Sequence, residues 1–288
     1  MYSYYTERDM SDRFGHTDLA CERRRVDLST PGIDYKKEIL PVGVMERIKI
    51  TSSEGAREIG RPMGIYDTLE LARMDVLDSE GISDAQRELA DELVYIFNKT
   101  NVFPGRILVV GLGNPTLTPD SIGCECTKRT RPTLHISEFD RPFFESLACS
   151  EIAVCTPGVN ATSGMDALVT VKALAKEIKP DAIIAIDALS SRSTERLGST
   201  IQISNTGICP GSGLGNARSK IDEESVGVPV IAVGVPTVID SRIFLQGDVS
   251  RINEFHSMFV SPKEINDIVN AAAEIIGGGI NQAFGICI

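Results

Sequence analysis

The stretch RILVVGLGNP, residues 106–115, decides the fold. Its centre is apolar at consecutive positions rather than at alternate ones, which is typical of a strand buried on both faces of a sheet. Three further runs share this pattern, at 151–155, 181–187 and 229–234. A helical pattern that ends at Pro180 lies between the second and third runs and predicts a β-α-β unit. These features predict an α/β fold with a largely parallel, twisted sheet.

The rest of the chain adds shorter elements to this sheet. VMERIKITS at 44–52 predicts a half-buried strand, YDTLELA at 66–72 its antiparallel partner, and STIQIS at 199–204 one more strand. Two helices are predicted to begin at capping boxes that start at Ser83 and Ser261. The prediction is a three-layer fold of the phosphorylase/hydrolase type, with helices on both faces of the sheet and a small N-terminal β excursion.

Composition and charge limit the classes of protein to which the chain can belong. The net charge of −11 argues against binding to nucleic acid, and no apolar stretch is long enough to span a membrane. The start of the chain is polar, unlike a signal peptide, and the seven cysteines have no framework spacing, so we expect a cytoplasmic protein with reduced thiols. Cys124 and Cys126 are too close in sequence for a zinc site. We expect a polar leader outside the core over residues 1–18, followed by one domain over 19–288.

Two carboxylates stand where catalytic groups of such sheets are found. Asp120 lies in LTPDSIG, just after the first apolar run, and Asp187 is placed at the end of the third run. Ligands of parallel sheets bind beyond the carboxyl ends of the strands, so both residues are candidates for one crevice. Two carboxylates in one site separate into an acid and a base, which together activate a water for attack on an amide. Each of them could equally cap a helix or close a turn.

The sequence offers weaker candidates for residues that bind the substrate. The glycines in TGICPGSGLGN, namely Gly211, Gly213 and Gly215, form either a nest of backbone amides for substrate or a mobile loop, and Thr237 is placed to edge the same crevice.

Nucleophilic catalysis has little support in the sequence. His16, His135 and His256 lie in the leader, a polar loop and the unpatterned segment 241–258, and the chain has no G-x-S-x-G elbow. A cysteine-histidine mechanism could use Cys155 or Cys209, but most cysteines in such cores act as small apolar residues.

Four longer motifs resemble the germination protease family of spore-forming bacteria. They are GLGNPTLTPDSIG, CTPGVNATSG, IIAIDALSSRSTERLGSTIQISNTGICPGSGLGN and GVPVIAVGVPTVID, and the similarity extends from residue 16 to residue 276. The resemblance implies a homotetrameric endopeptidase, made as a zymogen in the forespore, that degrades small acid-soluble spore proteins on germination. It also implies a fold similar to that of the hydrogenase maturation proteases.

The same resemblance assigns residues to roles. The catalytic aspartates of the family fall on Asp120 and Asp187, and TDLACE matches the family's processing site, which implies self-cleavage between Asp18 and Leu19. No metal and no cofactor are expected. Two alternatives stay open at this point, a metal-dependent peptidase of the hydrogenase maturation type and a non-catalytic protein that binds peptides.

Overall fold

The computed structural model describes residues 17–23, 30–211, 219–245 and 258–286. Within these ranges nine strands form one sheet in the order β1-β2-β3-β7-β8-β6-β4-β5, with β9 paired to β8. The strands are β1 (Ile33–Leu40), β2 (Gly43–Ile50), β3 (Gly64–Leu71), β4 (Arg106–Gly111), β5 (Glu151–Cys155), β6 (Ala182–Ser191), β7 (Thr200–Ser204), β8 (Val230–Asp240) and β9 (Phe259–Val260).

The apolar runs of the sequence form the parallel part of this sheet. They are β4, β5, β6 and β8, which pair in parallel in the order β8-β6-β4-β5. The predicted antiparallel pair, β2 with β3, and the additional strand β7 are also confirmed. The sheet as a whole is mixed, because β1, β2, β3, β7 and β9 all pair in antiparallel fashion.

Strand β1 was not anticipated from the sequence. Its residues, IDYKKEIL, are mostly exposed or half-buried, because β1 forms one edge of the sheet and pairs only with β2 among the described strands. Charged residues protect such an edge from pairing with other chains, and they also remove the apolar alternation by which strands are recognised.

Helices cover both faces of the sheet, as predicted. They are α1 (Ser53–Ile59), α2 (Ser79–Lys99), α3 (Ile122–Arg129), α4 (Leu134–Phe139), α5 (Arg141–Leu147), α6 (Asn160–Ser163), α7 (Ala167–Ile178), α8 (Glu223–Val226) and α9 (Ile265–Ala283). Helices α2, α3 and α9 contribute to the core on one face. Helices α1 and α7 contribute to the core on the other face. In the described part of the chain no helix is both long and apolar enough to cross a membrane.

The predicted starts of two helices are wrong. Helix α2 begins at Ser79 because the carboxylate of Asp78 accepts a hydrogen bond from the amide of Gly81 at 2.9 Å, so Ser83 lies inside the helix. Helix α9 begins at Ile265 and not at Ser261, after a turn in which the Ile265 amide donates to the Pro262 carbonyl. In both places a Ser-x-x-Glu/Gln spacing resembles a capping box, but Ser83 lies inside α2 and Ser261 lies four residues before α9.

Candidate active site

The site begins where strand β6 extends past its neighbour β4. The parallel register of the two strands ends at the pair Gly111–Ile186, whereas β6 continues to Ser191 beside β8. Asp187 is therefore the first residue of β6 beyond the β4 ladder. The prediction that Asp187 ends its strand is wrong, because polar Ser190 and Ser191 continue the strand that the apolar run only begins.

The loop after β4 turns back over the part of β6 that β4 does not pair with. Its first amide, of Leu112, donates to the carbonyl of Ile186 at 2.8 Å, and the loop then reaches a 3₁₀ turn at Thr118–Asp120. The amide of Asn114 donates both to the Asp120 carbonyl, at 3.0 Å, and to the Asp120 carboxylate, at 2.9 Å. Asp120 thus ends the turn before α3, and the amide of Asn114, a residue that precedes it, helps to orient its carboxylate.

Two close contacts hold the turn against the sheet. The hydroxyl of Thr237, a fully buried residue of β8, donates to the carbonyl of Pro119 at 2.6 Å. Gly123 lies so close to the sheet that a Cβ there would stand 2.4 Å from the Leu112 carbonyl and 2.5 Å from the Ile186 carbonyl. Thr237, predicted to edge the crevice, therefore meets the loop that carries Asp120.

Asp187 is the more buried of the two carboxylates. It is 4% exposed, whereas Asp120 is half-buried, and one Asp187 oxygen accepts a hydrogen bond from the Ala188 amide at 2.9 Å. Carboxylates are almost never buried to this extent unless they are paired or hydrogen-bonded, and the Ala188 amide gives Asp187 such a bond.

The thiol of Cys124, at the start of α3, lies in the electrostatic field of nearby carboxylates. Burial, followed by the charges of Asp120 and Glu125 and with a smaller contribution from Asp187, raises the pKa of the Cys124 thiol to about 11. Both carboxylates therefore lie within electrostatic range of one group at the start of α3. Because the thiol stays protonated at neutral pH, Cys124 is a poor nucleophile.

An open cleft adjoins this turn. Its volume is about 470 Å³, and Asn114, Cys124, Lys128, Cys155 and Thr162 are among its lining residues. It lies beyond the carboxyl ends of β4 and β5, where ligands of parallel sheets bind. Burial raises the pKa of the Cys155 thiol, which disfavours the thiolate that a cysteine mechanism requires.

The remaining residues that the sequence offered for the site are three glycines and two histidines. Gly211 occupies a turn with a positive φ of 70°, while Gly213, Gly215 and His256 lie outside the described residues. His135 is exposed on α4. Over residues 17–23, 30–211, 219–245 and 258–286, no group of three His, Cys, Asp or Glu side chains is arranged to hold a metal ion.

The TDLACE segment lies inside the fold. Thr17 and Leu19 have no exposed surface, Asp18 is 6% exposed, and Leu19 to Cys21 pack into the core beside α1 and α7. The prediction that a polar leader outside the core includes these residues is wrong for Thr17 and Asp18, because the sheet supplies partners for their polar groups. Residues 1–16, His16 included, lie outside the described part of the chain.

Sequence reasoning missed the residues that receive this segment. Gln202 of β7 bonds the segment on both sides of Leu19, and the loop after β6 receives Glu22. A signal for Gln202 was present, because it is the polar residue at the centre of TIQIS, a strand buried at every position. The loop residues carry no comparable signal, since their backbone amides make the contacts.

Together these features define a mixed α/β protein with two aspartates and an open cleft at the carboxyl edge of its parallel strands. The sequence profile of the germination protease family matches residues 22–252. Germination proteases of Clostridium acetobutylicum and Caldanaerobacter subterraneus are 32% and 34% identical to this chain, each over 93% of it and over 94% and 93% of their own lengths. The chain belongs to the germination protease family and is a peptidase.

One further relative has a similar level of sequence identity, whereas the match among solved structures has a low TM-score. The germination protease of Priestia megaterium is 38% identical over 82% of this chain and 66% of its own length. Among solved structures, the NiFe hydrogenase maturation protease HycI from Thermococcus kodakarensis matches 66% of this chain and 99% of its own, with 16% identity and a TM-score of 0.33.

Proposed function

We propose that the chain is an aspartic-type endopeptidase in which Asp120 and Asp187 activate one water for attack on a peptide bond. The observation that supports this most directly is the extension of β6 past β4, which sets Asp187 under the loop that carries Asp120. Two carboxylates in one site do not both ionise readily, so one of them holds a proton while the other acts as the general base. The cleft of about 470 Å³ beside Asn114 and Cys124 gives the peptide access to the turn that carries Asp120.

Membership in the family supports a proposal for the substrate and the biological setting. We assign to the chain the degradation of small acid-soluble spore proteins during germination, as a homotetramer in the spore core. We also propose that the chain is made as a zymogen and cleaves itself between Asp18 and Leu19. The motif TDLACE supports this assignment, together with the germination protease relatives that extend over almost the whole chain.

The dyad is tested with Asp120→Asn and Asp187→Asn. We expect each change to lower cleavage of a purified small acid-soluble spore protein by at least ~100-fold, because each removes one partner in proton transfer. Asp91→Asn is the matched control, since Asp91 is exposed on α2, and it should keep full activity. Full activity in either dyad variant would refute the mechanism. Activity that is lost on chelation and restored by zinc or nickel would favour the metal-dependent alternative.

Self-processing needs a separate measurement. The purified full-length chain is incubated at mildly acidic pH and its N-terminal residue is determined by sequencing over time. We expect a new N-terminus at Leu19 in the unmodified chain and none in Asp187→Asn. A chain that keeps its N-terminus and binds the spore protein without cutting it would instead be a non-catalytic peptide-binding member of the family.

A further inference from the structure

Strand β8 contains a β-bulge near its carboxyl end. Leu189 of β6 pairs with Pro236 of β8. The next residue of β6, Ser190, pairs with Val238, so the register of the two strands skips Thr237. Proline has no N–H for the ladder and occurs inside sheets mainly at edges, at the first residue of a strand or at bulges. Because β8 is a central strand between β6 and β7, the bulge is the feature that accommodates Pro236.

The bulged residue reaches an element outside its own ladder. Thr237 is fully buried, and its hydroxyl donates a hydrogen bond to the carbonyl of Pro119 at 2.6 Å. Pro119 belongs to the 3₁₀ turn Thr118–Asp120, which follows β4, and β6 lies between β4 and β8 in the sheet. Bulges commonly redirect a side chain next to an active site, and here the redirected hydroxyl meets the turn of Asp120.

The bond from Thr237 acts on the peptide unit that leads into Asp120. The carbonyl of Pro119 and the amide of Asp120 belong to one planar unit. On the other side of this unit, the Asp120 amide donates to the Leu117 carbonyl at 2.8 Å. Because both polar groups of the unit are bonded, its orientation is fixed, and with it the position of the Asp120 Cα. The carboxylate then accepts the Asn114 amide at 2.9 Å.

One strand therefore supports both aspartates. Gly234 of β8 pairs with Asp187 in the parallel ladder. Thr237 lies three residues, about 10 Å, further along β8 and holds the turn of Asp120. The distance between the two carboxylates thus depends on a short stretch of β8 and on one hydroxyl.

We propose that Thr237 is a positioning residue for the peptidase reaction, because the bulge in β8 directs its hydroxyl to the Pro119 carbonyl and thereby fixes the carboxylate of Asp120 relative to that of Asp187. The hydroxyl proton is used in the bond to Pro119, so Thr237 acts through Asp120 and not on the substrate. The proposal rests on the proposed dyad, since the position of Asp120 matters for the rate only if Asp120 takes part in the reaction. A misplacement of about 1 Å in a reacting group lowers rates by as much as ~100-fold.

Two variants separate the hydroxyl from the shape of the side chain. Thr237→Val removes the hydroxyl, and we expect it to lower kcat for a small acid-soluble spore protein at least ~10-fold while KM changes less than ~2-fold. Thr237→Ser keeps the donor and should stay within ~3-fold of the parent kcat. Thr100→Val is the matched control and should keep full activity. The Thr100 hydroxyl also donates to a main-chain carbonyl, that of Ile96 at 3.1 Å, but it lies after α2 and before β4 begins.

The pH profile of kcat/KM distinguishes positioning from a general loss of structure. The Asn114 amide favours the charged form of the Asp120 carboxylate, so a loosened turn makes the carboxylate easier to protonate. We expect the acidic limb of the profile to move to higher pH in Thr237→Val and to stay in place in Thr237→Ser. A smaller folded fraction would instead lower activity by one factor at every pH. Every variant keeps the other ionisable groups that act on the start of α3, which are Cys124, Glu125, Lys128 and Asp187.

Hydrogen exchange of residues 117–121, followed by mass spectrometry, tests the bond without any need for activity. Thr237→Val should accelerate exchange of the Asp120 and Ser121 amides, which close the turn, and Thr237→Ser should not. Equal exchange in the parent and both variants would overturn the proposal. If Thr237→Val does not fold, Thr237→Ala takes its place in the same comparison.

The combined outcomes separate this proposal from the dyad on which it rests. Faster exchange in Thr237→Val, together with full activity of Asp120→Asn, refutes the dyad and leaves the hydrogen bond in place. Faster exchange with the parent's kcat and pH profile, while Asp120→Asn is inactive, refutes the positioning role alone. A Thr237→Ser variant that is no more active than Thr237→Val also overturns the role of the hydroxyl.

Discussion

Gly123 provides the most direct test of how the fold sets the spacing of the two aspartates. A methyl group at this position would lie 2.4 Å from the Leu112 carbonyl, 2.5 Å from the Leu112 amide and 2.5 Å from the Ile186 carbonyl. Unstrained contacts of this kind are about 3.5 Å, so Gly123→Ala requires a displacement of about 1 Å between the start of α3 and the sheet. All three contacting atoms belong to the backbone, which excludes relief by rotation of a side chain.

The displacement has two measurable consequences. Overpacking of a buried position costs about 1–3 kcal/mol of unfolding free energy, which urea titration would measure. Because Asp120 lies three residues before Gly123 and Asp187 directly follows Ile186, the same shift separates the two carboxylates. A misplacement of about 1 Å lowers catalytic rates by as much as ~100-fold.

The control is Gly105→Ala, because a Cβ at the exposed Gly105 would meet its nearest neighbour, an oxygen of Asp181, at an ordinary 3.5 Å. This variant should match the parent chain in both stability and activity. The reasoning would be refuted if Gly123→Ala unfolded at the same urea concentration as the parent and cleaved a spore protein substrate at the same rate.

Two further predictions concern stability. Because Asp78 caps α2, Asp78→Ala should lower the unfolding free energy by about 1 kcal/mol. Ser83→Ala, inside the helix, should change it by less than about 0.5 kcal/mol. A larger loss of stability in Ser83→Ala than in Asp78→Ala, measured by urea titration, would contradict the structure. Burial, reinforced by the hydrogen bond and charge of Glu92, raises the pKa of Asp67. The folded chain thus keeps a proton that the unfolded chain releases above about pH 4, and stability falls by up to ~1.4 kcal/mol per pH unit as pH rises. Asp67→Asn should flatten this dependence between about pH 5 and about pH 7, and an unchanged slope would disprove the assignment.

The central part of the fold was predictable because its strands are buried on both faces. A strand of that kind must be apolar at consecutive positions, so β4, β6 and β8 can be recognised in the local sequence. β5 shares the apolar run, although its last three residues are half-buried. The same rule explains the error at Asp187. An apolar run shows where a strand is buried, but the last residues of β6 are polar and belong to the strand through their pairing with β8.

The contacts that hold Thr17–Glu22 against the sheet join residues that are far apart in the chain. Asp18 bonds Ser190 across 172 residues and Gln202 across 184 residues, and no local pattern encodes such a pairing. A polar segment such as TDLACE looks like a solvated leader until its partners are known. The two aspartates are predictable from their position after apolar runs. The residues that receive TDLACE are not, because backbone amides of the loop after β6 make several of the contacts.

The extension of β6 past β4 links the proposed chemistry to the edge on which Thr17–Glu22 lies. The edge that β4 leaves uncovered has backbone groups that need partners, and Leu112 and Asp18 supply them at Ile186 and Ser190. Peptides commonly bind by adding to such an edge. Ser190 lies three residues, about 10 Å, along the strand from Asp187. A peptide aligned on Ser190 therefore acquires a fixed register relative to the Asp187 carboxylate. A site built on one strand holds that register more precisely than loops do. Changes in the loop that carries Asp120 should therefore affect the rate of cleavage, while changes in β6 should affect both the rate and the choice of bond.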